Sequence, residues 1–575
     1  MIKKTLYTIF VFSLFFFNTL AQSPTFEWAK SVGAINYDYS YDIVLDGSGN
    51  VYTTGYFQGT VDFDPGSGVF DQTSNGSGIF VSKLDALGNF VWAKAMIGTG
   101  HSRGISITLD PTGNGSVYIT GRFNGTTDFD PGAGVFNLTS VGEHDNSFIC
   151  KLDAIGNFVW AKHLGGSGYC SGLSIALDQT VNGDIYITGS FIETIDFDPG
   201  AGIFNLTSVG EHVDIFICKL DSLGTFVWAK QLRGSDLKKS RQITIDPDGN
   251  GDIYTIGWFQ GTVDFDPDAT NDYNLTAIAN YDIFISKLNS LGNFVWAKQL
   301  GGAAFNKGMS IALDPSGNGD IYLTGAFQGT VDFDPGLGVF NLNSAGDFDI
   351  FISKLSSSGN FVWAKAMGGS SYQFGFSIEL DPLGNIYTTG YFRGTSDFNP
   401  DPSETFNLTS IGNDDIFISK LDNIGNFVWA KQIGGTGDDY GISLTLDTSG
   451  ELFMTGVYFS PTITFDLITL TNSFSGGYTC DIFISKLKPD TFGIEDEERI
   501  KNFIVYPNPV TDNLSFIFSG NKQKLEATIT DITGKIVKSI KLKSNTIYVG
   551  DLPNGIYFIK LKGEDNTIFQ RFIKQ

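Results

Sequence analysis

The sequence predicts an all-β protein built around a seven-bladed propeller, and three observations carry that expectation. A phrase of the form Phe-x-Trp-Ala-Lys recurs with its tryptophan at Trp28, Trp92, Trp160, Trp228, Trp296, Trp363 and Trp429. Each period, roughly 64–68 residues long, holds four apolar, strand-prone runs, and a repeat of that length with four strands is the signature of a propeller blade. Composition agrees: among 575 residues, 70 Gly and 51 Phe with only 17% charged side chains describe many short strands joined by tight turns. A hydrophobic content of 41% excludes a disordered chain. The formal charge of −25 excludes the basic face that a nucleic-acid partner requires.

In chain order, Lys3 and Lys4 precede an apolar stretch from Leu6 to Phe17, and Ala21 offers a small residue for cleavage. Residues 1–21 therefore read as a secretory signal peptide, the stretch being too short to span a bilayer. No later segment approaches the ~18 uninterrupted apolar residues of a membrane helix, so no transmembrane span is expected in the mature chain. Residues 22–488 hold the repeats. The fifth reads GMSIALD, IYLTGAF, GTVDFDPG, DIFISKL and FVWAK. Turns such as Asp110-Pro111-Thr112-Gly113 and Asp314-Pro315-Ser316-Gly317 follow type I preferences. Each blade is thus expected to run a, b, c, d, with tight a–b and c–d turns on one face and longer b–c and d–a connections on the other.

Counting strands predicts how the ring closes. Phe26 to Lys30 is a d strand with no a, b or c before it, and the final unit has a, b and c (Asp481 to Lys486) but no FVWAK. Residues 26–30 should therefore pair antiparallel with 481–486, removing an exposed strand edge. Cys150 and Cys218 share one repeat position in separate sheets, and Cys170 and Cys480 have no obvious mates. Four unpaired thiols are expected, and no zinc spacing is present.

These repeats resemble the bacterial SBBP-type β-propeller repeat and are similar in topology to NHL repeats. The likeness implies fold and says little about function. Beyond Leu487 the composition shifts. Residues 489–502 read as an acidic linker, and 503–575 carry ten Lys+Arg against six Asp+Glu. VYPNPV at 505–510, ITDITGKIV at 529–537 and DLPNGIYFIKL at 551–561 together resemble the type A C-terminal sorting domain of the type IX secretion system. That resemblance implies a small C-terminal β-sandwich, the type IX machinery as a partner through residues 503–575, and delivery to the medium or the outer-membrane surface.

Binding residues concentrate on long loops held by a rigid scaffold, which places a ligand on the b–c and d–a face. Arg233, Lys238, Lys239 and Arg241 gather in the connection entering blade four, and His101 and Arg103 in the one entering blade two. In an acidic domain they suit an anionic ligand such as an acidic glycan. Asp246, Asp248, Asn250 and Asp252 alternate like Ca²⁺ ligands, but Gly257 stands where the acidic twelfth residue belongs, and turn chemistry explains them more simply. No cofactor beyond that possible calcium is expected. The four histidines (His101, His144, His163 and His212) are scattered over different units, so no catalytic grouping can be assigned. The leading expectation is a secreted or surface propeller binding an extracellular protein or glycan. The alternative is a propeller-fold hydrolase or lyase acting on an anionic polysaccharide.

Overall fold

The structure is a computed structural model that describes residues 24–178, 183–247, 250–268, 270–473 and 479–488. In the C-terminal segment it describes 503–506, 509–518, 526–531, 535–541, 546–562 and 567–575. The expected signal segment 1–21 and linker 489–502 lie outside the described residues, as does Asp248. Every regular element described is a strand, and no described helix is long and apolar enough to cross a membrane. The chain separates into two compact units, one spanning Pro24–Pro489 and one holding the C-terminal segment.

In the larger unit, antiparallel arrays of four strands follow one another along the chain. The first is Tyr39–Leu45, Val51–Asp62, Asp71–Leu84 and Phe90–Gly98. Its third and fourth strands pair Lys83 with Trp92, and the ring of Trp92 meets Tyr52 edge-on at 5.9 Å. The same Tyr–Trp contact recurs as Tyr118–Trp160, Tyr186–Trp228, Tyr254–Trp296, Tyr322–Trp363 and Tyr387–Trp429. The repeated IYxTG and FVWAK phrases are thus two halves of one packing unit. The last array takes its fourth strand from the start of the chain. Phe26–Val32 pairs antiparallel with Asp481–Leu487, with Trp28 opposite Lys486 and Lys30 opposite Ile484. Trp28 meets Phe453 edge-on at 6.1 Å, as its counterparts meet tyrosines.

Two devices join neighbouring arrays. In the first five arrays the end of the fourth strand pairs with the Thr-x-Asp segment of the next unit, as in Gly301 opposite Asp332 and Gly368 opposite Asp397. The first strands also pack side by side, and Tyr39–Leu45 touches both Ser102–Leu109 and Asp439–Leu446. The recurring acids serve these joints. Asp62 accepts the backbone N–H groups of Asp64 and Phe70 at 3.0 and 2.8 Å, and equivalent aspartates repeat the pattern. All four cysteines are free and buried.

The C-terminal unit has a three-stranded and a four-stranded antiparallel sheet. Leu514 and Ile547 from the first share one buried cluster with Ala527, Ile529, Ile559 and Phe572 from the second.

Candidate functional site

The first strands of the arrays surround a cavity of about 600 Å³. Each of these strands carries one extra residue where its register shifts against the second strand, as between Ser40 and Asp42 or between Ser240 and Gln242. A bulge of this kind re-aims the inserted side chain. The second strand accommodates it with a glycine: any Cβ at Gly55 would strike the carbonyl oxygen of Tyr39, and at Gly257 that of Lys239. The inserted residues are Tyr41, Ile105, Leu173, Arg241, Met309, Phe376 and Ile442, and all of them line the cavity. Six are apolar or aromatic, and Arg241 is the exception.

Directly after the bulge runs a belt of hydrogen bonds from unit to unit. The Ile175 N–H donates to Ser106 Oγ at 3.3 Å, Ile243 to Ser174 at 3.2 Å and Ile311 to Gln242 Oε1 at 2.8 Å. Ile378 donates to Ser310 and Leu444 to Ser377, both at 3.2 Å. Asp42 completes the belt. It accepts Ser106 Oγ at 2.9 Å and the Ile107 N–H at 3.0 Å from one neighbour, and Ser443 Oγ at 3.0 Å from the other. Glu379 also lines the cavity. Burial, reinforced by the Asp42 charge, pushes its carboxyl up to about 7.

The expected site residues divide. Lys239 and Arg241 line the cavity together with Arg122, which was not anticipated. Burial, with the charges of Arg241, Arg122 and Lys307 behind it, pulls the Lys239 ammonium down to about 8. Lys307 is lowered by burial and by Arg241. No described carboxylate forms an ion pair with Lys239, Arg241 or Lys307. Arg103 lies 4.6 Å over the Tyr56 ring and reaches the Tyr41 hydroxyl at 3.5 Å. His101 is exposed and exchanges a 3.2 Å hydrogen bond with Ser77.

Two residues of the expected patch are occupied elsewhere. Lys238 is fully buried against Asp214 Oδ1 at 2.6 Å and donates to the carbonyls of Gly234 and Asp236, so it serves the fold. Strand alternation separates it from Lys239, because successive side chains point to opposite faces. Arg233 binds Asp264 Oδ2 at 3.1 Å and the Asp268 carbonyl, at the joint between two units. Of the candidate calcium ligands, Asn250 Oδ1 accepts the Asp252 N–H at 2.7 Å, and Asn250 also reaches Asp246 at 3.4 Å. Asp252 is paired with Lys287 at 2.7 Å, as Asp184 is with Lys219 and Asp320 with Lys354. The Lys287 ammonium thus already partners one of the candidate ligands.

Comparison with known proteins bears on both units. A β-propeller repeat family model matches residues 27–56, and a secretion system C-terminal sorting domain model matches residues 504–575. The chain carries SBBP-type propeller repeats and ends in a secretion-system sorting domain. That tail marks it for type IX export to the cell surface or the extracellular space. An uncharacterized WD repeat-containing protein of Acanthamoeba polyphaga mimivirus is 25% identical over 520 residues, covering 76% of this chain. The chain spans 36% of that relative's length. Among solved structures, Sqt1 from Chaetomium thermophilum matches with 11% identity, covering 76% of this chain and 97% of that one, at a TM-score of 0.38. PorZ, described as an essential bacterial surface component of the type-IX secretion system of Porphyromonas gingivalis, matches with 10% identity. It covers 95% of this chain and 100% of that one at a TM-score of 0.15, and neither likeness bears on function.

Proposed function

We propose that this protein is an exported seven-bladed propeller, residues 22–488, that acts outside the cell as a binding module for a protein or glycan and holds an anionic group in its central cavity. The reading of one closed ring is supported by the belt through Asp42 and by the pairing of Phe26–Val32 with Asp481–Leu487. Residues 1–21 act as its signal peptide, 489–502 as a linker, and 503–575 as a sandwich that engages the export machinery and leaves the propeller free to work. One observation carries the binding reading. In a chain of net charge −25, Lys239, Arg241 and Lys307 converge from adjacent units with no described carboxylate paired to them. Clustered, partly desolvated cations are costly unless something negative completes them.

A screen of the full exported chain against immobilised glycans and surface proteins tests this directly. Acidic ligands should be retained, and retention should fall with salt as the cations are screened. Retention of neutral ligands alone would overturn it. A second reading, cleavage of an anionic polysaccharide, is favoured by Glu379, a carboxyl raised to about 7 in the same cavity and so placed to act as a general acid. Turnover of a retained polysaccharide that is lost in Glu379→Gln would establish that reading, and retention without turnover would refute it. Deleting 503–575 should trap the propeller in the periplasm; normal export of that truncation would refute the sorting assignment.

A further inference from the structure

We infer that the cavity takes a single acidic sugar residue, one hexose ring bearing a carboxylate or a sulfate ester, rather than a bare anion or an extended polyanion. This deepens the binding reading above and rests on it. The argument starts from how the cavity wall is distributed among the units. Cations come from units two and four, Arg122, Lys239 and Arg241, with Lys307 of unit five close behind them. Four aromatic rings line it as well: Tyr41 and Phe376 at the bulge position, Tyr39, and Tyr169, whose hydroxyl accepts from Arg122 at 3.0 Å. Behind them Tyr39 stacks on Tyr56 at 5.9 Å and Phe374 on Tyr391 at 5.3 Å. Cations and rings touch where Lys307 lies 5.8 Å over Phe374 and Arg103 lies 4.6 Å over Tyr56.

A bare anion would use the cations and leave the rings idle. A flat apolar molecule would use the rings and leave Lys239 and Arg241 without an anion, whereas Arg122 already pairs with Asp145 at 3.4 Å. A sugar has an apolar C–H face that covers an aromatic ring and hydroxyls around its edge, and an acidic sugar adds one charge at a fixed offset. The wall also carries the hydroxyl-bearing Thr108, Thr244 and Thr445. A volume of about 600 Å³ is that of a small-molecule site, sized for one or two rings. Arg241 is the only cation among the bulge residues, so it should fix the anionic group. Its planar fork suits carboxylate and sulfate oxygens alike.

Titration calorimetry on the full exported chain, with galacturonic acid, glucose 6-sulfate, galactose and sodium sulfate as probes, tests the inference. At least one acidic sugar should bind saturably, and which one does distinguishes carboxylate from sulfate. Galactose and sodium sulfate should each bind at least about tenfold more weakly. Arg241→Gln and Tyr41→Ala should each lower acidic-sugar affinity about tenfold or more, and Arg241→Lys should retain part of it. Near-UV circular dichroism superimposable on that of the natural protein shows that each variant is folded. Sulfate binding as tightly as the sugars, equal loss of charged and neutral probes in Tyr41→Ala, or no binding of either acidic sugar would overturn the inference. If larger acidic glycans or proteins are still retained while both acidic monosaccharides fail, the inference falls and the binding reading stands.

Discussion

Replacing Lys239 by glutamine should stabilise the unliganded protein. The side chain is half-buried, and its ammonium is lowered from the ordinary 10.5 to about 8 by burial and by three neighbouring cations. At pH 7 both folded and unfolded chains carry the charge, and the folded chain bears the cost of that displacement, about 3 kcal/mol at 1.36 kcal/mol per pH unit. Water in the cavity screens part of this, so the gain on removing the charge should lie between about 1 and 3 kcal/mol. With an unfolding entropy near 2.1 cal/mol/K per residue, a unit spanning Pro24–Pro489 should gain about 1–3 °C in Tm by calorimetry. The sign with pH is fixed as well. A lysine with a lowered folded pKa binds more protons when unfolded, so the natural protein gains stability from pH 8 towards 10.5, and the gap to Lys239→Gln closes over that window. Lys239→Arg, which keeps the charge, should not stabilise. A glutamine variant with an equal or lower Tm at pH 7, or a gap that is the same at pH 7 and 10.5, would refute the reasoning.

Three further outcomes follow from the same structure. Deleting residues 24–32 removes the buried Phe26, Trp28 and Val32, about 5–9 kcal/mol of apolar burial, and bares the edge of Asp481–Leu487. Calorimetry and size-exclusion chromatography should show a lower Tm and concentration-dependent association; an unchanged Tm with a monomeric profile would disprove the closure. Burial raises Asp38 to about 7 and Asp349 and Asp439 to about 6, so the stability these protonated carboxyls lend is full below pH 4 and is lost as pH rises through 6–7. Melting across pH 5 to 8 should show a falling Tm, and a rising one would contradict that assignment. Because Lys287 occupies Asp252, chelator or millimolar Ca²⁺ should move Tm by less than about 1 °C, and a clear upward shift with calcium would restore the metal.

How much of this was legible in the sequence depended on whether a feature repeats. Strand identity, turn chemistry and the Trp28 closure rest on phrases that recur throughout the chain, and the structure shows the strand pairings they imply. The binding patch depended on phase within a single strand. The run Lys238-Lys239-Ser240-Arg241 looks like one basic cluster, but pleating and a bulge send Lys239 and Arg241 to the cavity and Lys238 to Asp214. Aligning the first strands by their bulge would have found Lys307, which occupies the position of Lys239 one unit on. Arg122 lies on a second strand inside the phrase YITGRF, where other units hold Tyr, Ser, Trp, Ala or Val, and only tertiary structure shows that it reaches the cavity.

The belt explains why those positions are free to differ. A serine hydroxyl accepts one N–H from the next unit and can donate its own hydrogen once, which suffices inside the repeat. At Asp42 the demand is greater. Its two oxygens take Ser106 Oγ, the Ile107 N–H, Ser443 Oγ and its neighbour Ile43 N–H at 3.0 Å, which fills about four acceptor sites, the capacity of a carboxylate. A serine there could bridge both flanking units, as Ser106 and Ser310 do, but it could not accept all four of these donors. Because the belt and the second-strand glycine fix the backbone on either side of the bulge, the inserted side chain carries little of the frame. Arg241 can therefore stand where six other units hold apolar residues without changing the strand pairing around it. The frame is set at Asp42 and the serines, and the side chain that faces the cavity is set one residue earlier.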